Sequence, residues 1–183
     1  MRVVAGSARG IRLAPVPRGV RPVSDMAREG LFSSLGELVR GARVLDLYAG
    51  TGAMAIEALS RGAEHAVLVE RDRGAIRAIR DNLERTHLTE AAEVTAGDVA
   101  RFVTRDGEPS EPFDLVLADP PYDTPVREVE GVLEALAGGW LAEGGSLVLT
   151  RPSRSSTLVI PVHFSVARRL TYGDTLVLII REA

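Results

Sequence analysis

From residue 43 onward the chain alternates short apolar runs with stretches whose apolar residues recur at helical spacing. Arg43-Val44-Leu45-Asp46-Leu47-Tyr48, His65-Ala66-Val67-Leu68-Val69-Glu70, Glu93-Val94-Thr95-Ala96, Phe113–Ala118 and Ser146-Leu147-Val148-Leu149 read as strands. Residues 53–61, about 72–86, 99–104 and 126–137 read as the helices between them. Ile76, Ile79 and Leu83 share one face of the second helix, and Val129, Val132, Leu133 and Leu136 share one face of the last. This alternation implies an α/β fold, a mostly parallel sheet with helices on both faces.

Both ends of the chain depart from that rhythm. Residues 156–160, 162–170 and 175–180 are β-rich with no room for helices between them, and Tyr172-Gly173-Asp174 is a turn signal. The sheet is therefore expected to close with a C-terminal antiparallel hairpin. At the start, Arg2-Val3-Val4-Ala5 and Gly10–Ala14 flank Gly6-Ser7-Ala8-Arg9, which reads as an N-terminal β-hairpin extension. A Pro-rich link over 15–22 follows, and Ser24 then caps a helix that turns Ala27, Leu31, Phe32 and Leu35 inward. The expected organisation is a hairpin and linker at 1–22 and one α/β domain at 23–183.

At 183 residues, 45% hydrophobic and 26% charged, the chain can bury a full core. No apolar run approaches the ~20 residues of a membrane span, and the first ten residues lack a signal peptide's apolar stretch. Cysteine is absent and His65, His87 and His163 are scattered, which removes thiolate chemistry and the usual metal-ligand spacings. The expectation is a cytoplasmic protein with no metal. Net charge is −3, yet Arg2, Arg9, Arg12, Arg18, Arg21 and Arg28 precede residue 29 with Asp25 the lone acid among them. A basic arm on an acidic body confines phosphate affinity to one face.

Gly50-Thr51-Gly52 sits between the first strand and its helix, where glycines admit a ligand to the backbone and the helix start supplies free N–H groups. With Glu70 twenty residues beyond Gly50, the loop fits a dinucleotide or S-adenosylmethionine equally well. No Lys follows the glycines, so the loop is not of the Walker type. Asp46, inside the first strand, suits an ammonium acceptor, and Asp98, after the third, suits an adenine amino group. Three acids at the C-terminal ends of successive strands lie where open α/β sheets bind ligands.

The fourth strand ends in Asp119-Pro120-Pro121-Tyr122. Two prolines remove two backbone donors and stiffen the loop, leaving carbonyl and carboxylate acceptors. Such a site receives N–H bonds, and a nucleobase NH₂ group supplies two. Tyr122 offers a face for stacking, worth ~1–3 kcal/mol per base. Accepting both amino protons pulls the nitrogen toward tetrahedral geometry and frees its lone pair to attack a sulfonium methyl.

These features resemble the class I S-adenosylmethionine-dependent methyltransferases, which have a Rossmann-like fold. Within them the chain resembles the RsmD family, which methylates N2 of a guanine (the guanine 966 type of site) in 16S ribosomal RNA. The likeness runs nearly end to end and includes Arg2–Gly6, Arg9-Gly10, Arg21-Pro22-Val23-Ser24-Asp25-Met26-Ala27-Arg28-Glu29, Asp46–Gly52, Glu70, Asp98, Asp119–Tyr122 and Tyr172–Thr175. Met26, Ala27 and Tyr48 depart from the usual basic residue, Val and Phe. The resemblance implies that Gly50, Thr51 and Gly52 line the methionine end of S-adenosylmethionine, near Asp46. Glu70 would hold the ribose and Asp98 the adenine, while Asp119 and the Pro120 carbonyl orient the target amine against Tyr122. Arg9 and Arg12 would grip RNA, with Arg21, Asp25 and Arg28 at the pocket entrance. The implied partner is 16S rRNA, in the small subunit or an assembly intermediate.

Adenine-N6 methylases also use Asp-Pro-Pro-Tyr, so the loop reads an amine rather than a base. Guanine presents an N1–H donor beside N2, whereas adenine presents a bare N1 acceptor beside N6, so an acceptor-only loop suits guanine better. An NAD(P)-linked oxidoreductase leaves the double proline unexplained. A non-catalytic RNA-binding factor has no use for the retained acids.

Overall fold

The apolar runs do form a sheet, and the helices bury their apolar stripes on its two faces. The structure, a computed structural model, describes residues 1–15, 23–105, 109, 111–155 and 157–183. In chain order the elements are α1 (Asp25–Leu35), β1 (Arg43–Leu47), α2 (Ala53–Ser60), β2 (His65–Glu70), α3 (Arg73–Thr86), β3 (Ala92–Ala96) and α4 (Val99–Arg105). They continue with β4 (Phe113–Ala118), α5 (Val126–Leu136), β5 (Leu141–Pro152), β6 (Phe164–Tyr172) and β7 (Thr175–Glu182). Strand order is β3-β2-β1-β4-β5-β7-β6. The first five are parallel, and β7 runs antiparallel to both β5 and β6.

Val44, Leu68, Leu115, Leu117 and Val148 face α1, α2 and α3. Leu45, Leu47, Val69, Val116, Leu147 and Leu149 face α4 and α5. Strands covered on both faces need the continuous apolar runs seen in the sequence. Ser24 Oγ accepts from Ala27 N at 3.1 Å to start α1, and Asp72 Oδ1 does so from Ala75 N at 2.8 Å to start α3.

Three details differ from the sequence reading. The fifth strand begins at Leu141 rather than Ser146, because Ala142–Gly145 bulge out between the pairs Phe113↔Leu141 and Leu115↔Ser146. Residues 157–160 lie in no strand, and Ser156 lies outside the described residues. Val159 N donates instead to Glu130 Oε1 at 2.9 Å, and Pro161 removes the next ladder donor but one. The N-terminal hairpin is short, with one bridge, Arg2↔Arg12, and bonds from Val3 N to Ile11 O and from Gly10 N to Val3 O.

That hairpin is seated in the body of the molecule. Val3, Ala8 and Leu13 are buried in the same core as α1 and α2. All eight residues of α2 are buried beneath these elements, Glu57 included. Glu57 accepts from Val4 N at 2.8 Å, Ala5 N at 3.0 Å and Arg61 Nε at 2.7 Å. Gly6 lies at φ +83°, and a Cβ there would stand 1.7 Å from Ser60 O, so only glycine lets the turn close on the end of α2.

Candidate active site

Four strands end together at one edge, and each contributes a carboxylate there. Asp46 is 1% exposed and its Oδ2 accepts from Ala55 N at 3.1 Å, tying β1 to the first turn of α2. Its pKa is raised to about 8, chiefly by burial, with the Asp119 and Glu70 charges adding to it and the Ala55 bond opposing. Glu70 closes the glycine loop. Its Oε2 accepts from Gly50 N at 2.9 Å, and its Oε1 from Arg71 N and Asp72 N, each at 2.8 Å. Asp98 caps α4 by accepting from Arg101 N at 3.2 Å, and its Oδ2 lies 3.5 Å from Arg71 Nη1.

The two glycines of the loop do different work. Gly50 lies at φ +57°, and a Cβ added to it would meet only Tyr48 O, at 3.9 Å, so the space over it is open. Gly52, at φ +75°, packs inward, where a Cβ would stand 3.1 Å from Leu68 Cδ2. Thr51 is buried, and its carbonyl accepts from Asn82 Nδ2 at 2.9 Å. An open backbone cradle beside three carboxylates fits a ligand carrying hydroxyls and an ammonium group.

Across the cradle, Asp119 leaves β4 on the same sheet face as Asp46 and accepts from the Thr150 hydroxyl. Burial raises its pKa to about 6 against the lowering effect of that bond. Pro120 is buried, whereas Pro121 and Tyr122 are exposed. Tyr122 is 42% exposed, and its hydroxyl sits 3.1 Å from Thr175 Oγ1 at the start of β7. The predicted acids Asp46, Glu70, Asp98 and Asp119, the loop Gly50–Gly52, and Pro120 with Tyr122 therefore share one edge.

Arg9 and Arg12 are exposed on the hairpin, and Arg21 lies outside the described residues. Arg28 corrects the expectation of an RNA contact: it is 0% exposed. It donates to Asp25 Oδ1 at 2.9 Å and to Arg2 O, and its Nε stands 4.0 Å from Glu57 Oε2. Helical spacing turns position 28 to the same face as Ala27 and Leu31, and a guanidinium facing the core needs protein acceptors.

Sequence reasoning missed Thr150, Glu57, Asn82 and the part played by Tyr48. Glu57 was visible as an acid inside the apolar run Ala53–Leu59, and Asn82 as an amide beside the stripe of Ile79 and Leu83. Tyr48 has φ +60°, and its buried hydroxyl has no partner among the described residues. Burial and the charges of Glu128 and Asp98 push its pKa up to about 12. Among the described residues no group of His, Cys, Asp and Glu is arranged to hold a metal ion.

Known proteins share this architecture and its sequence. The family model described as "Conserved hypothetical protein 95" matches residues 1–181. The chain is 33% identical over 177 residues to "Ribosomal RNA small subunit methyltransferase D" of Escherichia coli (strain K12), covering 95% of this chain and 86% of that protein. The protein of the same name from Haemophilus influenzae is 27% identical over 94% of this chain and 89% of its own length. A solved structure of a hypothetical protein from Thermus thermophilus is 34% identical, with a TM-score of 0.79 over 98% of both chains. The crystal structure of TrmN from the same organism, 21% identical, shares the fold at a TM-score of 0.71 over 86% of this chain and 48% of its own. The strand order, the acidic ligand edge and a match along nearly the whole sequence lead to one assignment: the chain belongs to the Conserved hypothetical protein 95 family, the RsmD-type methyltransferases.

Proposed function

We propose that this enzyme transfers a methyl group from S-adenosylmethionine to the exocyclic N2 of a guanine in 16S rRNA, within the small ribosomal subunit or an assembly intermediate. One observation carries the reading: the Asp119–Tyr122 acceptor loop stands at the same edge as the open Gly50 cradle and the Asp46 and Glu70 carboxylates. Glu70 is the ribose-binding acid. A carboxylate has about four acceptor sites and three are taken by backbone N–H groups, so ribose hydroxyls share Oε2 with Gly50 N. Asp46 takes the methionine ammonium, and Asp98, beside Arg71, takes the adenine amino group. When bound, the cofactor supplies an electrophilic methyl on a sulfonium.

The chain's own residues prepare the nucleophile. Asp119 and the Pro120 carbonyl accept the two amino protons, and Tyr122 stacks on the base. The target nucleotide leaves its stack to reach the loop, which favours an exposed position in the RNA. No strong general base is needed, since the amine loses its proton after methylation. The exposed Arg9 and Arg12 of the hairpin contact phosphates. Mass mapping of methylated nucleosides in 16S rRNA, from cells with and without the protein, tests the reading. N2-methylguanosine at one position is expected, and N6-methyladenosine as the sole product would refute the guanine assignment.

A further inference from the structure

Among the described residues, four charged side chains are almost fully buried: Arg28, Asp46, Glu57 and Arg151. Three are accounted for. Arg28 and Glu57 face each other, and Asp46 accepts from Ala55 N. Arg151 is 8% exposed, yet among the described residues its guanidinium has no ion pair and no hydrogen bond. None of its nitrogens is sealed from solvent, so the stem is packed while the head group keeps its donors facing water, spent on no protein acceptor and open to an anion.

The position of Arg151 says which anion. It follows Thr150, whose hydroxyl bonds Asp119, and it pairs with Leu176, the neighbour of Thr175, whose hydroxyl meets Tyr122. Strand alternation places it on the face of Leu147 and Leu149, the face that α5 covers. The loop of residues 120–125 runs from the end of β4 to α5 on that face. Beyond Arg151 the chain turns at Pro152–Ser155, where Ser155 N bonds Pro152 O and Arg154 is exposed. An unpaired arginine on the strand beside the amine-binding loop, with the exposed Arg154 three residues further on, matches a phosphodiester carried in with the target base.

We infer that Arg151 is a substrate-binding residue that grips a backbone phosphate at the target nucleotide and so sets the base against Asp119 and Tyr122. This rests on the RNA-methylating reading above, and two variants separate the two claims. Arg151→Gln and Arg151→Lys are compared with the unaltered enzyme on small ribosomal subunits from cells lacking the protein. Filter retention reports binding, methyl incorporation reports turnover, and calorimetry reports S-adenosylhomocysteine affinity. Arg151→Gln is expected to raise KM for the subunit about tenfold and to lower the log–log salt slope of binding by ~0.7–0.9. Cofactor affinity stays within twofold, and Arg151→Lys recovers part of the loss. Unchanged KM and slope in Arg151→Gln would overturn the inference. So would weakened S-adenosylhomocysteine binding with intact subunit binding, which would assign the anion to the cofactor's carboxylate. If the unaltered enzyme neither binds nor methylates the subunit, the functional reading fails first and this inference with it.

Discussion

Asp119 and Asp46 are both held above the usual carboxylate range, for different ends. Asp119, with a pKa of about 6, is charged at neutral pH and able to accept amino protons. Its protonation below about pH 6 should slow single-turnover methylation, and Thr150→Val, which removes the bond that lowers the pKa, should move that midpoint upward. A pH–rate profile on both enzymes checks this; coincident profiles would detach Asp119 from the methyl-transfer step. In the ligand-free fold Asp46 keeps its proton up to about pH 8, to be displaced by an arriving ammonium, while an unfolded chain releases it near 4. The folded state thus binds more protons across that window, and stability falls as pH rises through it. Asp46→Asn retains an acceptor for Ala55 N but loses this dependence. Its ligand-free Tm should exceed the parent's at about pH 9, above the raised pKa, while its S-adenosylhomocysteine affinity should drop, both measurable by thermal shift.

Among the elements, α2 carries the cofactor loop at its start and the N-terminal hairpin along its length. Glu57→Ala would strip the acceptor from Val4 N, Ala5 N and Arg61 and leave Arg28 facing an empty site. Breaking a buried pair costs ~3–5 kcal/mol, which for a domain of this size lowers Tm by roughly 6–20 °C. A calorimetric change below a few degrees would show that water replaces the lost acceptor. Helices and parallel strands were legible because burial on both faces writes itself as apolar runs and 3.6-residue stripes, as in Phe113–Ala118 and Ile76–Leu83. The acids at the strand ends were legible because a carboxylate closing an apolar strand is conspicuous. Arg28 was not, because an arginine close behind a basic tail looks like surface until Glu57 is placed against it. Thr150 and Arg151 escaped for a related reason: β5 is brought beside β4 by the sheet, and nothing local marks residue 150 as Asp119's partner.

Over the whole molecule, a net charge of −3 leaves attraction to RNA to local groups. Arg9→Ala with Arg12→Ala should weaken RNA binding and reduce its log–log salt slope by ~0.7–0.9 per lost contact, with Tm unchanged because both side chains are exposed. An unaltered slope would confine the hairpin to a packing role. Removing the hairpin altogether is a poorer experiment, since Val3, Ala8 and Leu13 would leave the core with it. The clasp has a further consequence during synthesis. Val4 N and Ala5 N bond Glu57, Ala8 N bonds Ser60, and Ala14 N bonds Asn82, separations of 53, 52, 52 and 68 residues. At ~5–20 residues per second, the hairpin segment, once it has left a translating ribosome, waits roughly 3–14 s for its last acceptor. Until then the arginine-bearing segment is an unpaired, basic strand beside the very class of molecule its finished form is proposed to grip.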